Sequence, residues 1–209
     1  MDRIESVIEK SKIFYDNGDP AHDVVHIARV MRLCEQIGKE EGANLEVLLA
    51  AAALHDLINL PKDHPERQFA SQMAATQSMT ILKESGFTDE EIEKVKNIIT
   101  EHSYSLGKKP TSLESAVLQD ADKLDALGAI GIMRTVTCGA RFGAKYYDMA
   151  DPFAKHRDLD DRSYTLDHFS TKLFKLPSLM NTNAGKIEAT KRFEFMKEFI
   201  EEFRRELDC

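Results

Sequence analysis

Apolar residues recur along this chain at the helical spacing of three and four positions, and no segment alternates as a half-buried strand would. Ile4, Val7, Ile8 and Ser11 mark a short first helix. Ile27, Val30, Met31, Cys34 and Ile37 mark a second, which Gly38 or Gly42 should end. Asn44 is placed to cap a third, running through Leu45, Leu48, Leu49 and four alanines to Leu57. That helix is apolar all round, so it belongs in the middle of the core. A further helix covers residues 66–84 and stops at Gly86. Thr88 with Glu91 forms a capping box for the next, whose stripe is Ile92, Val95, Ile98 and Ile99. Thr111 with Glu114 reads as a second capping box, opening a helix through Leu118 and Leu124. The last stretch, residues 187–207, sets Phe193, Met196, Ile200 and Phe203 on one face, supported by Glu201 and Arg205 at i, i+4. The pattern predicts an all-α bundle. Two segments break it: a short turn with a proline over residues 108–112, and a long charged stretch over 148–165. A stretch of that length is either a mobile lid or a plain surface excursion.

The 209 residues suit one domain, expected over 1–209, with a core large enough to need no disulfide or zinc staple. At 42% hydrophobic and 31% charged, the composition excludes disordered and low-complexity classes. No apolar run is long enough for a membrane span, and the charged start MDRIESVIEK does not read as a signal peptide. A cytoplasmic protein is expected. Lys and Arg number 28 against 36 Asp and Glu, a net charge of −8, which disfavours duplex nucleic acid as a partner. A small phosphorylated ligand needs only a local cluster of cations. Cys34, Cys138 and Cys209 share no metal-type spacing and read as free thiols.

Chemistry concentrates in three places. His55 and Asp56 stand side by side where the buried helix ends. Such a pair is costly in apolar surroundings unless satisfied, by a metal or by a helix-terminal cap. Upstream, His22 and His26 share a helix face at i, i+4, and Arg29 follows one turn on. His26 borders the apolar stripe and can reach inward, as a ligand or as a buried histidine bonded to a carboxylate. Downstream, Asp120, Asp122 and Asp125 crowd a helix rich in Leu and Ala. They need a cation between them, or else form a solvated acidic face.

Taken in order, HDVVHIARV, LHDL and LQDADKLDALG resemble the motifs of the HD-domain phosphohydrolase superfamily over residues 20–130. HFSTKL and LMNTNAGKIEATKRFEFM extend the resemblance, over helices expected within 166–207, to the small bacterial HD-domain hydrolases. The resemblance implies an HD-type helical bundle with additional C-terminal helices. It implies one divalent cation on His26, His55, Asp56 and Asp122, with Mn²⁺ favoured and Fe²⁺, Co²⁺, Ni²⁺, Zn²⁺ or Mg²⁺ the alternatives. Two imidazoles and two carboxylates, with no thiolate, suit a catalytic rather than a closed structural site. His64 and His102 are the only histidines between the HD pair and the last aspartate, so one metal is expected. His102 continues the stripe of Val95, Ile98 and Ile99, and binds a substrate phosphate or is a satisfied buried histidine.

The implied reaction is hydrolysis at phosphorus by metal-activated water, with Asp56 central to it. Asp125, Glu66 and Asp63 are candidates for the base. Among relatives of this kind are manganese-dependent enzymes that cleave nucleoside triphosphates to the monophosphate and pyrophosphate. Others act on nucleoside monophosphates. The C-terminal resemblance favours the first. Cyclic-nucleotide phosphodiesterase and non-catalytic nucleotide sensing are the alternatives. Lys62 is expected both to bind phosphate and to assist catalysis. Arg67, Lys172, Lys186 and Arg192 are expected to hold phosphates, Lys123 to contact substrate or pair with Asp122, and His22 and Arg29 to line the site. Tyr104, Tyr146, Tyr147 or Phe153 would stack a base or pack in the core. The partner is a small nucleotide, and the protein itself is a monomer or homodimer.

Overall fold

The computed structural model describes residues 2–15, 23–60, 64–103 and 107–207. Among them the all-α expectation holds. The helices are α1 (Arg3–Ser11), α2 (Val24–Glu41), α3 (Leu45–Leu54), α4 (Ala70–Glu84), α5 (Asp89–Glu101), α6 (Leu113–Asp125), α7 (Gly128–Arg141), α8 (Asp167–Thr171) and α9 (Asn183–Leu207). Short 3-10 segments cover Lys12–Phe14, Arg67–Phe69 and Leu173–Leu179. Extended pairing among the described residues is limited to one isolated bridge, Lys145 with Tyr164. Contacts divide the chain into two compact units, Met1–Asp122 and Lys123–Cys209, and α6 runs across the division.

In the first unit α3 is the central element, packed by α1, α2, α4 and α5. Ala50, Ala51, Ala52, Ala53 and Leu54 have no exposed surface, as the unbroken apolar run after Glu46 requires. Gly42 makes the turn that delivers it. Its φ of 80° is left-handed, and the Gly42 and Ala43 amides both donate to the Gly38 carbonyl at 2.9 Å. Asn44 then accepts from the Glu46 and Val47 amides at 3.1 and 3.3 Å. Gly38 lets α2 and α3 approach closely: a Cβ there would lie 2.8 Å from Leu48 Cδ2. α3 stops at Leu54, one turn before the expected Leu57, for a reason that lies in His55. Arg3 staples α1 to α3 and α5, reaching Glu46 at 2.7 Å, Glu91 at 2.9 Å and the Gly86 carbonyl at 3.1 Å.

The entry to α6 differs from expectation. Ser112, not Thr111, is its cap, accepting from the Ser115 amide at 3.0 Å. Thr111 instead gives its amide and hydroxyl to the Glu101 carboxylate at 3.0 and 2.7 Å. Glu114 accepts from the Asn44 amide at 2.8 Å, a contact with another helix start.

In the second unit α7 packs on α9, and Phe169, Phe174, Phe193, Phe199 and Phe203 form a chain of ring contacts. The stretch 148–165 is tied down rather than loose. Asp148 accepts from the Ala150 and Asp151 amides at 2.9 and 2.8 Å, and from the Tyr164 hydroxyl at 2.8 Å. Asp151 accepts from the amides of Lys155, His156 and Arg157. Arg157 forks onto the buried Asp167 at 2.5 and 2.8 Å. Tyr147 packs edge-on to Phe203, and Phe153 lies under the Arg204 guanidinium, so both make the packing contacts that were one of the two expectations for them. Tyr146 is exposed, and Tyr104 lies outside the described residues.

Candidate metal centre

The last carbonyls of α3 have no partners within the helix, and the chain supplies them from two side chains and one later amide. His55 Nδ1 donates to the Ala52 carbonyl at 2.9 Å, the Tyr15 hydroxyl donates to Ala53 at 2.7 Å, and the Leu57 amide reaches Leu54 at 3.3 Å. A carbonyl can only accept, so Nδ1 carries the proton and the neutral ring keeps its lone pair on Nε2. That nitrogen is buried and has no hydrogen-bond partner. Burial pushes the His55 pKa down, against the pull of Asp56, and favours the neutral form. An orphaned buried nitrogen lone pair is costly unless something electron-poor meets it.

His102 repeats the device at the end of α5, where Nδ1 lies 2.6 Å from the Ile99 carbonyl. Its Nε2 faces Asp56 Oδ1 at 3.5 Å. Burial opposes protonation of this ring, but the hydrogen bond and charge of Asp56 outweigh it and raise its pKa. The other oxygen, Asp56 Oδ2, lies 3.6 Å from both His55 Nε2 and His26 Nε2. His26 stands in the first turn of α2, whose N-cap Asp23 accepts the His26 amide at 2.8 Å. Its Nε2 also lies 3.7 Å from Asp122 Oδ1. Burial works against ionising Asp56 and Asp122, and the surrounding imidazoles prevail, holding both below the usual carboxylate range.

One ligand atom from each of His26, His55 and Asp56 lies within 4.8 Å of the others, and Asp122 borders them through His26. Their separations of 3.6 and 3.7 Å are too long for hydrogen bonds. Bonds of about 2.1 Å to a common ion set neighbouring donors roughly 3.0–3.4 Å apart, so this spacing is close to that of a coordination set. The donors are two imidazole nitrogens and two carboxylates, a set that fits a borderline divalent cation.

The remaining expected residues fall in several places. Asp120 and Asp125 are buried, which overturns the solvated acidic face. Asp125, expected as a base, is paired with Arg134 at 2.7 Å. Arg67 and Arg192, expected at substrate phosphates, donate to main-chain carbonyls, those of Leu60 and Leu124, and Arg192 also holds Glu188 at 2.8 Å. Glu66 is exposed at the start of the 3-10 turn and lies outside the cluster. Arg29 is half-buried one turn beyond His26, Lys123 is buried on α6, Lys172 is half-buried after α8, and Lys186 is exposed in the first turn of α9. His22, Lys62 and Asp63 lie outside the described residues. Periodicity missed Tyr15, Asp23, Gln119 and Arg134, because each acts on a main-chain group or a residue elsewhere in the fold. Asp23 alone had a readable signal, as an N-cap residue before an apolar run.

Among the described residues, no helix is long and apolar enough to cross a membrane. The family model described as HD domain matches residues 24–127, which contain all four cluster residues. The Bacillus subtilis (strain 168) protein YpgQ is 32% identical over 191 residues, covering 89% of this chain and 84% of that one. The crystal structure of YpgQ in complex with ADP superposes with a TM-score of 0.76 at 30% identity, covering 99% of this chain and 97% of that one. An HD-superfamily hydrolase from Bacillus thuringiensis gives the same TM-score of 0.76 at 34% identity, with 99% and 97% covered. By sequence match, by fold and by the order of its His, His-Asp and Asp residues, the chain belongs to the HD domain family.

Proposed function

We propose that this protein is a metal-dependent phosphohydrolase that cleaves nucleoside triphosphates to the monophosphate and pyrophosphate. The observation that carries the metal part is His55 Nε2, a buried lone pair with no hydrogen-bond partner, turned to a cluster of one further imidazole and two ionised carboxylates. Membership of the HD domain family supports a divalent cation there, and the ADP complex of YpgQ supports a nucleotide as ligand. The proposed ligands are His26, His55, Asp56 and Asp122, with Mn²⁺ the favoured ion. When bound, a divalent cation supplies Lewis-acid polarisation at phosphorus and acidifies an attacking water.

The protein's own residues do the rest. Asp56 and Asp122 stay ionised, which keeps both available as donors at neutral pH. His55 is held in the right tautomer by Ala52. His102 approaches the far oxygen of Asp56 and orients it. Arg29, on the same face of α2 as His26, is proposed to hold phosphate oxygens, with Lys62, Lys172 and Lys186 as further cations for the phosphate tail.

The test is a product assay. Metal-stripped protein receives Mn²⁺ and a panel of nucleoside mono-, di- and triphosphates and cyclic nucleotides, and products are separated by chromatography. Monophosphate plus pyrophosphate from triphosphates is the expected result. Orthophosphate from monophosphates alone would replace the proposal with a nucleotidase, and opening of the cyclic substrates would replace it with a phosphodiesterase. Tight nucleotide binding with no product would leave only a sensing role.

A further inference from the structure

Gln119 lies on α6 one turn before Asp122, on the same face at i, i+3, and is only 6% exposed. Its carboxamide nitrogen donates twice, to the Glu101 carbonyl at 2.8 Å and to the Lys108 carbonyl at 3.0 Å. Glu101 is the last residue of α5, and His102 follows it directly. One side chain therefore closes the stem of the connection that leaves α5 at His102 and returns at Lys108. The same stem is held by the Lys108 ammonium on the Thr100 carbonyl at 3.4 Å, and by Thr111 on the Glu101 carboxylate. Among the described residues, Gln119 holds both ends of this stem from the helix face that carries Asp122.

The two residues it couples meet the cluster at different members. Asp122 approaches His26, and His102 approaches Asp56 through Oδ1, where His26 and His55 approach Oδ2. We propose that Gln119 is a positioning residue of the metal centre: it sets the end of α5, and with it His102 and the orientation of Asp56, against the helix face that carries Asp122. The inference rests on the metal reading above. Groups that orient a ligand in this way typically change metal affinity about 10- to 100-fold when removed.

The experiment titrates Mn²⁺ alone into metal-stripped protein by calorimetry, for wild type, Gln119→Leu, Gln119→Met and Thr111→Val. Gln119→Leu removes both donors. Gln119→Met removes them as well and keeps the unbranched shape without adding charge, which covers the case where leucine disturbs packing. Thr111→Val frees the Glu101 carboxylate at the same stem and leaves both Gln119 bonds in place. Both Gln119 variants should bind Mn²⁺ about tenfold more weakly or worse while circular dichroism stays helical. Thr111→Val should lower thermal stability and keep wild-type affinity. Wild-type Mn²⁺ affinity in the Gln119 variants overturns the proposal, whatever happens to their thermal stability, and so does an equal loss in Thr111→Val. A wild-type protein that binds no Mn²⁺ fails at the metal reading itself and takes this inference down with it. The two failures are therefore separable by which protein shows them.

Discussion

The His55 ring ends a helix with one nitrogen and offers a lone pair with the other. The two acts are linked, because donation from Nδ1 to Ala52 is what makes Nε2 the unprotonated atom. His102 shares the helix-ending half of this arrangement, but its Nε2 lies 3.5 Å from Asp56 Oδ1, whose hydrogen bond and charge prevail over burial there, while burial prevails at His55. Removing either member of the HD pair should therefore cost the metal and not the fold. In His55→Ala and Asp56→Ala, calorimetric Mn²⁺ binding should disappear while the circular dichroism spectrum stays helical, since α3 keeps its buried Leu48 and Leu54 and its Asn44 cap. Full Mn²⁺ uptake by both variants would remove them from the ligand set.

Helix by helix, what could be read from the chain depends on whether the signal was local. α2 carries a period and a glycine stop, and α3 and α5 each carry a period and a cap, within one stretch of sequence, and all three appear close to where the pattern puts them. α7 left no such trace. Gly128, Gly131 and Gly139 and its run of Thr and Val lower its intrinsic helix preference, and its packing on α9 compensates. Gly139 is required by a neighbour rather than by the helix, since a Cβ there would come within 2.2 Å of Thr165 Oγ1. The start of α6 shows the opposite error. Thr111 and Glu114 have capping-box spacing, but each is drawn to a partner distant in sequence, and Ser112 caps in their place. Ser112→Ala should thus cost about 1 kcal/mol in urea unfolding. A neutral result would return the cap to Thr111. The candidate site was legible for a different reason: each motif that holds His26, His55, Asp56 or Asp122 has a second reading by itself, and the order of the motifs carries the resemblance to the HD-domain pattern. The contacts of Arg67 and Arg192 were not legible, because a cation aimed at a phosphate and one aimed at a carbonyl look alike in sequence, and neither was the pairing of Asp125 with Arg134, which lies on the next helix.

For the molecule as a whole, an excess of acidic groups makes each well-placed cation count, and Arg3 shows how. It binds Glu46 and Glu91, which lie 43 and 88 positions away from it in sequence, and holds the Glu91 carboxyl, first by its hydrogen bonds, down at about 2 from the ordinary 4.5. A carboxylate depressed in the folded state stabilises above its unfolded pKa and loses that contribution as the pH falls through the folded value. The thermal midpoint of wild type should therefore exceed that of Glu91→Gln by a steady margin near neutral pH, and the margin should shrink between pH 4.5 and about 2. A margin unchanged by acid would show that the pair does not act through charge. The other long-range feature is α6, which begins in one compact unit and finishes in the other. Asp122 is the last residue of the first unit, and the carbonyl that Arg192 secures, at Leu124, belongs to the second. Compactness would tempt one to cut the gene there, and such a cut would leave the proposed ligand Asp122 on a chain terminus, in a last helical turn that has lost its hydrogen-bond partners. For excision, permutation or fusion, residue 122 is therefore a poor boundary, and an exchange of C-terminal segments between relatives has to keep α6 in one piece.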